Sequence, residues 1–284
     1  MKKYFIGAII GVAAISLAAC GDSATPIDGT TAKSDLTLEQ VFDKAMERQE
    51  NLQSTKATMT MEQGTTMTIE GEEVHMTSST NMDMSMTVKP MALIADGTMS
   101  MTMADEEETL PLKMYLTEED GFYMNNVMDE GWLKLPNDMY KDMLAQAGAN
   151  ADASEQLKQL EPFINDITFE QTDAAYILTL NAIGEEFHEM VLEQVMGTME
   201  QQLGEDGQSL YEGIQFEDAK YIITIDKETF DITKMNLDFV MTMDIEGVTS
   251  KVNTASTIIY SDFNEVDTIT IPQDVIDTAV ESAF

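Results

Sequence analysis

From Lys56 onward the chain alternates apolar and polar residues with a period of two. Ala57, Met59 and Met61 alternate with Thr58, Thr60 and Glu62, and Met67 and Ile69 with Thr66, Thr68 and Glu70. Gly71-Glu72-Glu73 breaks the run. Met82, Met84, Met86 and Val88 then alternate with Asn81, Asp83, Ser85 and Thr87, and Met99, Met101 and Met103 with Ser100 and Thr102. Such runs predict half-buried strands with one polar face, as in an antiparallel sheet. Asp96-Gly97 reads as a hairpin turn or as a bulge within a long strand. Leu110 to Leu116 predicts a further strand, turned back at Asp120-Gly121 into Phe122-Tyr123-Met124. Strands follow at Ile167–Gln171, Tyr176–Leu180 and Tyr221–Ile225, the last turning at Lys227-Glu228-Thr229. Met235 to Ile245 is the longest alternating run, and Glu246-Gly247 leads it into Val248–Tyr260. A last short strand is expected to end at Ile271.

Elsewhere the period is 3.6. Thr37-Leu38-Glu39-Gln40 is a capping box, with Leu36 and Val41 placed for a hydrophobic staple. Leu38, Val41, Phe42, Ala45 and Leu52 share one helical face, and the helix should end between Asn51 and Ser54. Asn137 can cap a helix closed by Gly148. Leu157, Leu160 and Ile164 predict a second short helix disturbed at Pro162, and Glu185 to Gln202 a longer one. Pro272 can start a final helix through Val275, Ile276 and Ala279. The order of helix, strands, helices and strands predicts an α+β fold: one strongly curved antiparallel sheet, a half-barrel, with helices packed on its concave face.

The start of the chain follows a different pattern. Lys2 and Lys3 precede an apolar run from Tyr4 to Leu17, followed by Ala18-Ala19-Cys20 and a small polar stretch. A basic start, a short apolar run and small residues at the cleavage point mark a secretory signal. The run is shorter than the roughly 20 residues of a spanning helix. Leu17-Ala18-Ala19-Cys20 resembles the lipobox of bacterial lipoproteins. That resemblance implies cleavage before Cys20 and a diacylglycerol on its thiol, which would hold the protein on the outer face of the cytoplasmic membrane. The expected division is a signal peptide over 1–19, lipidated Cys20 and a flexible tether over 20–35, and one domain over 36–284. The tether is rich in Thr, Ser, Gly and Asp and shows no apolar period.

The mature chain would hold 265 residues (284 − 19), enough for a sizeable core. Its charge would be −39, because the formal −37 includes the two lysines of the signal. A surface this acidic repels nucleic acid and anionic head groups, so acyl chains rather than charge would keep it at a membrane. Cys20 is the only cysteine, so an internal disulfide is excluded.

Several segments resemble the LolA/LppX-like lipoprotein superfamily. They are Lys220 through Phe230, Asp120-Gly121-Phe122-Tyr123-Met124 with Gly131-Trp132-Leu133-Lys134-Leu135, the opening helix from Leu36, and Ile271-Pro272 through Ala279. The whole is similar to an uncharacterised group of Gram-positive lipoproteins. The resemblance implies an apolar cavity between sheet and helices, and in that superfamily several members carry lipids or lipoproteins. No family motif places catalytic residues here.

The methionines are the main chemical feature. There are 24, and Met59, Met61, Met82, Met84, Met86, Met99, Met101, Met103, Met241 and Met243 are spaced by two on strands, so each set shares a face. They can be ordinary core. They can also line a cavity that repacks around varied apolar ligands, because methionine is flexible and specifies a core poorly. A third reading is Cu(I) binding by thioethers, and a fourth is sacrificial oxidation. His75 and His188 lie apart from these sets and read as solvated residues, and Trp132 as core. The acidic pairs Glu118/Glu119 and Glu185/Glu186 lack the geometry of paired catalytic carboxylates. The chain has no phosphate loop, no nucleophile elbow and no zinc-protease motif. The expectation is a non-enzymatic protein without cofactor or bound metal that holds a lipid-like ligand in a methionine-lined cavity. The alternative is a structural or sensory module with a filled core, acting on an envelope protein through its acidic surface.

Overall fold

The computed structural model describes residues 23–69, 71–104, 106–126, 131–136, 140, 161–181, 214–245 and 248–281. Thirteen strands form one sheet. They are β1 (Thr25–Pro26), β2 (Ser54–Ile69), β3 (Glu72–Thr87), β4 (Ala92–Met103), β5 (Glu106–Thr117), β6 (Gly121–Asn125), β7 (Trp132–Lys134), β8 (Ile167–Gln171), β9 (Ala175–Asn181), β10 (Ile214–Asp226), β11 (Ile232–Ile245), β12 (Val248–Ser261) and β13 (Val280–Glu281). Two α-helices lie among the described residues: α1 (Leu38–Glu50) and α2 (Gln273–Thr278).

The expected α+β architecture is not the one that forms. The molecule is mostly β, built on a single mixed sheet ordered β1-β8-β9-β10-β11-β12-β2-β3-β4-β5-β6-β7-β13. Two meanders, β8 to β12 and β2 to β7, meet where β12 pairs antiparallel with β2. Both edges are parallel pairs, β1 on β8 and β13 on β7. The strand content exceeds expectation because β2 and β3 each run 16 residues, about 53 Å at 3.3 Å per residue. Asp96 and Gly97 lie inside β4 with no break in register. Residues 262–272 form no strand, so the one expected to end at Ile271 is absent. Glu161–Asp166 is a 3-10 helix where a short α-helix was expected. The signal segment, Cys20, the helices expected from Asn137 and Glu185, His188 and the Glu246-Gly247 turn lie outside the described residues.

The opening helix forms as its sequence requires. The Thr37 side chain accepts from the Gln40 backbone N–H, and the Gln40 side chain accepts from the Thr37 N–H. Val41, Phe42 and Ala45 pack on Tyr176, Leu178, Leu180, Ala219, Ile223 and Ile225. A fully buried Val or Phe side chain contributes about 1.5–3 kcal/mol. Arg48 fixes the far end of the helix, with its Nε 2.6 Å from buried Asp231 in the β10–β11 turn. At the other wing, α2 places Val275 against Tyr115, Tyr123 and Ile271, with the Trp132 ring tilted against Tyr115 at 5.4 Å.

The stretch from Gly21 to Asp35, expected to be a free tether, is docked from Ser23 onward. Ser23 bridges Thr37, Ala24 is buried, and β1 forms the sheet edge. The clasp is Gln171, 1% exposed. Its Nε2 donates to Ala24 O at 2.6 Å and Ser34 O at 3.1 Å, while its Oε1 accepts from Ser34 N–H at 2.8 Å and from the Lys227 ammonium at 2.7 Å. Lys227 also donates to Ala32 O at 2.8 Å. Asp173 accepts from the backbone N–H groups of Ala32 and Thr31. Those amides, Ala32 first, hold the Asp173 carboxyl below the usual carboxylate range.

A carboxylate depressed by folding contributes stability that is present above its unfolded pKa and lost as pH falls through the folded one. Amides of residues 24–35 should therefore lose exchange protection, relative to those of β10, as pH falls below about 4. Asp173→Asn should remove most of that pH dependence. An identical profile in the variant would refute the role given to this carboxylate.

Candidate functional site

Alternation gives each strand two faces, and the register joins them into two continuous surfaces. On the apolar face Met59 lies opposite Met82, Met84 opposite Ala57 and Ala95, and Met86 opposite Leu93. Met61 and Met99 both lie opposite Thr80, Met101 opposite Ser78 and Met103 opposite Met76. Across β12, Met241 faces Val252 and Met243 faces Ser250, which continue to Thr65 and Met67 on β2. All ten methionines singled out in the sequence therefore share one face, on β11, β2, β3 and β4. Met82 is 7% exposed and Met103 55% exposed, and the other eight are half-buried. Thr80 and Thr254 are buried hydroxyls on this same face.

Gly97 shapes this surface. It lies opposite Met82, and a Cβ on it would overlap Asn81 O and fall 2.8 Å from Met82 Cα. Only a glycine permits β3 and β4 to approach so closely.

The opposite face is polar, and it holds a pocket of about 660 Å³. One row runs Lys220, Asp238, Ala255, Glu62, Ser79 and Ser100 from β10 to β4. The next runs Asp218, Val240, Asn253, Gly64, Thr77, Thr102 and Glu107 from β10 to β5. All of these line the pocket, and no methionine does. In a flat sheet β10 and β5 would stand about 29 Å apart, at 4.8 Å per strand. A single pocket reached by all seven strands requires the sheet to coil around it with the polar face inward. The concave side at this level is thus the polar one, whereas sequence reasoning expected helices and an apolar cavity there.

The pocket floor is open at Gly64, where a Cβ would meet nothing within 4 Å. Among the described residues the side chains of Glu62, Glu107, Asp218 and Asp238 have no ion pair or hydrogen bond. Alternation in the sequence could have located these residues, but it carries no sign of which face is concave. His75 is exposed on β3, bonded to Thr66 at 3.0 Å. No group of three His, Cys, Asp or Glu side chains among the described residues is placed to hold a metal ion. No described helix is long and apolar enough to cross a membrane.

The Gly97 geometry yields a test. Gly97→Ala should destabilise the protein by about 1–3 kcal/mol, as overpacking does, seen as a lower denaturant midpoint in equilibrium unfolding. An unchanged midpoint would show that the two strands separate at no cost.

A family model described as "Family of unknown function (DUF6612)" matches residues 37–280. No curated protein matches the chain. Among solved structures, the chain is similar to the translocator domain of the autotransporter NalP from Neisseria meningitidis. That match has 7% identity and a TM-score of 0.24, covering 73% of this chain and 88% of that one. A beta-barrel-like protein of domain of unknown function DUF1849 from Brucella abortus matches at 9% identity and a TM-score of 0.19, with 72% and 98% covered. A DUF1329 family protein from Desulfovibrio piger matches at 10% identity and a TM-score of 0.16, with 80% and 92% covered. Likeness at this level assigns neither fold nor function.

Proposed function

The chain belongs to the DUF6612 family of unknown function, and we propose that it is a lipid-anchored extracytoplasmic protein that binds an apolar, acyl-type ligand without catalysis. The observation that carries the reading is the register, which puts ten methionines on one face of neighbouring strands. Methionine side chains are unbranched and polarisable, so such a face can reshape around chains of different length. About ten methylenes buried there would contribute roughly 8 kcal/mol gross, the scale of micromolar affinity before ordering costs. The resemblance of the β10–β11 hairpin to LolA/LppX-like lipoproteins supports the same ligand class. The anchor is the diacylglycerol that the lipobox-like sequence directs to Cys20.

A second reading draws on the polar pocket. Its unpaired carboxylates and open floor favour a basic segment of an envelope protein, which would make the chain an interaction module instead of a carrier.

Native mass spectrometry of the fragment Gly21–Phe284, purified without detergent, should show a co-purifying mass of lipid size that is lost on organic extraction. Met103→Asp, at a half-exposed position that tolerates a charge, should lower that occupancy several-fold, and Met84→Asp should abolish it. A clean apo mass with no uptake of offered lipids would transfer the assignment to the interaction module, and an increment matching copper would favour thioether metal binding. In cells, Cys20→Ala should leave the precursor uncleaved or release the protein to the medium. Retention at the membrane of a variant that has lost its signal segment would refute the anchor.

A further inference from the structure

We infer that the β1–β8 edge of the sheet is a membrane-facing mount, held against the lipid head groups by the clasp around Gln171. The inference rests on acylation of Cys20 as proposed above, and it adds the orientation of the body. Fifteen residues of free tether would let the domain stand away from the bilayer and turn in any direction. The structure leaves no such length. Ser23 is already bridged to Thr37, Ala24 is 3% exposed, and Thr25 and Pro26 are paired with Glu170 and Gln171. Only Gly21 and Asp22 separate Cys20 from Ser23, three Cα-to-Cα steps that reach about 10 Å even when fully extended. A lipid at Cys20 therefore brings the β1 edge to the head-group layer.

The clasp is built to hold this arrangement. Gln171 uses its amide and its backbone carbonyl on the strap, since Ile27 N–H and the Thr30 hydroxyl both donate to Gln171 O at 3.0 Å. Tyr176 donates to the Ser34 hydroxyl at 2.6 Å. Lys227 ties the β10–β11 turn to the same strap through Ala32 O. Together these bonds oppose the repulsion between an acidic body and an anionic surface. Counted inward from the β1 edge, the turn carrying Glu228 begins at the third strand, β10, whereas Glu73 lies on the seventh, β3, about 19 Å further across a flat sheet at 4.8 Å per strand.

The test uses the acylated full chain in phosphatidylcholine vesicles containing an acceptor-labelled lipid. Acylation blocks the Cys20 thiol, so a donor dye can be placed on Glu228→Cys or Glu73→Cys. Energy transfer should be at least twofold stronger at position 228. A sixteen-residue Gly/Ser insertion between Asp22 and Ser23 leaves the folded body untouched and adds about 22 Å of flexible span. It should lower transfer at position 228 to that at position 73. Equal transfer at the two positions, or indifference to the insertion, would overturn the mount while leaving the anchor standing. An intact mass lacking the diacylglycerol would overturn the anchor, and the mount with it.

Discussion

The pairing of β2 with β12 holds this structure together. Its register runs without interruption from Thr68 opposite Thr249 to Lys56 opposite Ser261. It is the seam between a meander made early in the chain and one made late, and it carries both surfaces across. The methionines of β2, β3 and β4 become continuous with those of β11 only through it, and so do the two polar rows. A slip of one residue at this seam would set the methionines of one wing beside the acidic residues of the other. The seam joins residues nearly two hundred positions apart, so its loop-closure cost falls on the folding rate.

What was legible in the sequence was local. Thr37 and Gln40 are three residues apart and satisfy each other, so the start of α1 could be read directly. The turns at Asp120-Gly121 and Lys227-Glu228-Thr229 need only their own residues. Alternation also showed which residues share a face within each strand. It did not show that one face belongs to a single surface across seven strands, because that depends on register between distant segments. Nor did it show the direction of coiling. The two faces of an alternating strand look the same whichever one is concave, and the polar pocket was missed for that reason. β1 and β13 are two residues each and have no periodicity to detect. Gln171 gave no signal, since a glutamine near a strand end is ordinary until the strap closes over it.

The two surfaces divide the chemistry of the chain. Four carboxylates, Glu62, Glu107, Asp218 and Asp238, line the pocket on the polar face, and ten methionines spaced by two lie on the opposite face. Lys220 stands directly across from Asp238 without forming an ion pair, and Glu62 sits at the centre of the same row with small or hydroxyl neighbours. Such spacing keeps the carboxylates hydrated and apart. The apolar side is anchored where the sheet ends are fixed: by α1 over β9 and β10, and by Tyr140, whose hydroxyl donates to Thr117 O beside Leu116 and Phe122.

A sheet thirteen strands wide has two free borders, and each is a template for another molecule's backbone. Here the outer borders are two-residue parallel strands, β1 and β13, each followed or preceded by irregular chain or a short helix. A border that short offers an incoming strand too few sites for stable pairing. A very large sheet can in this way persist as separate molecules at high concentration, without growing into fibres.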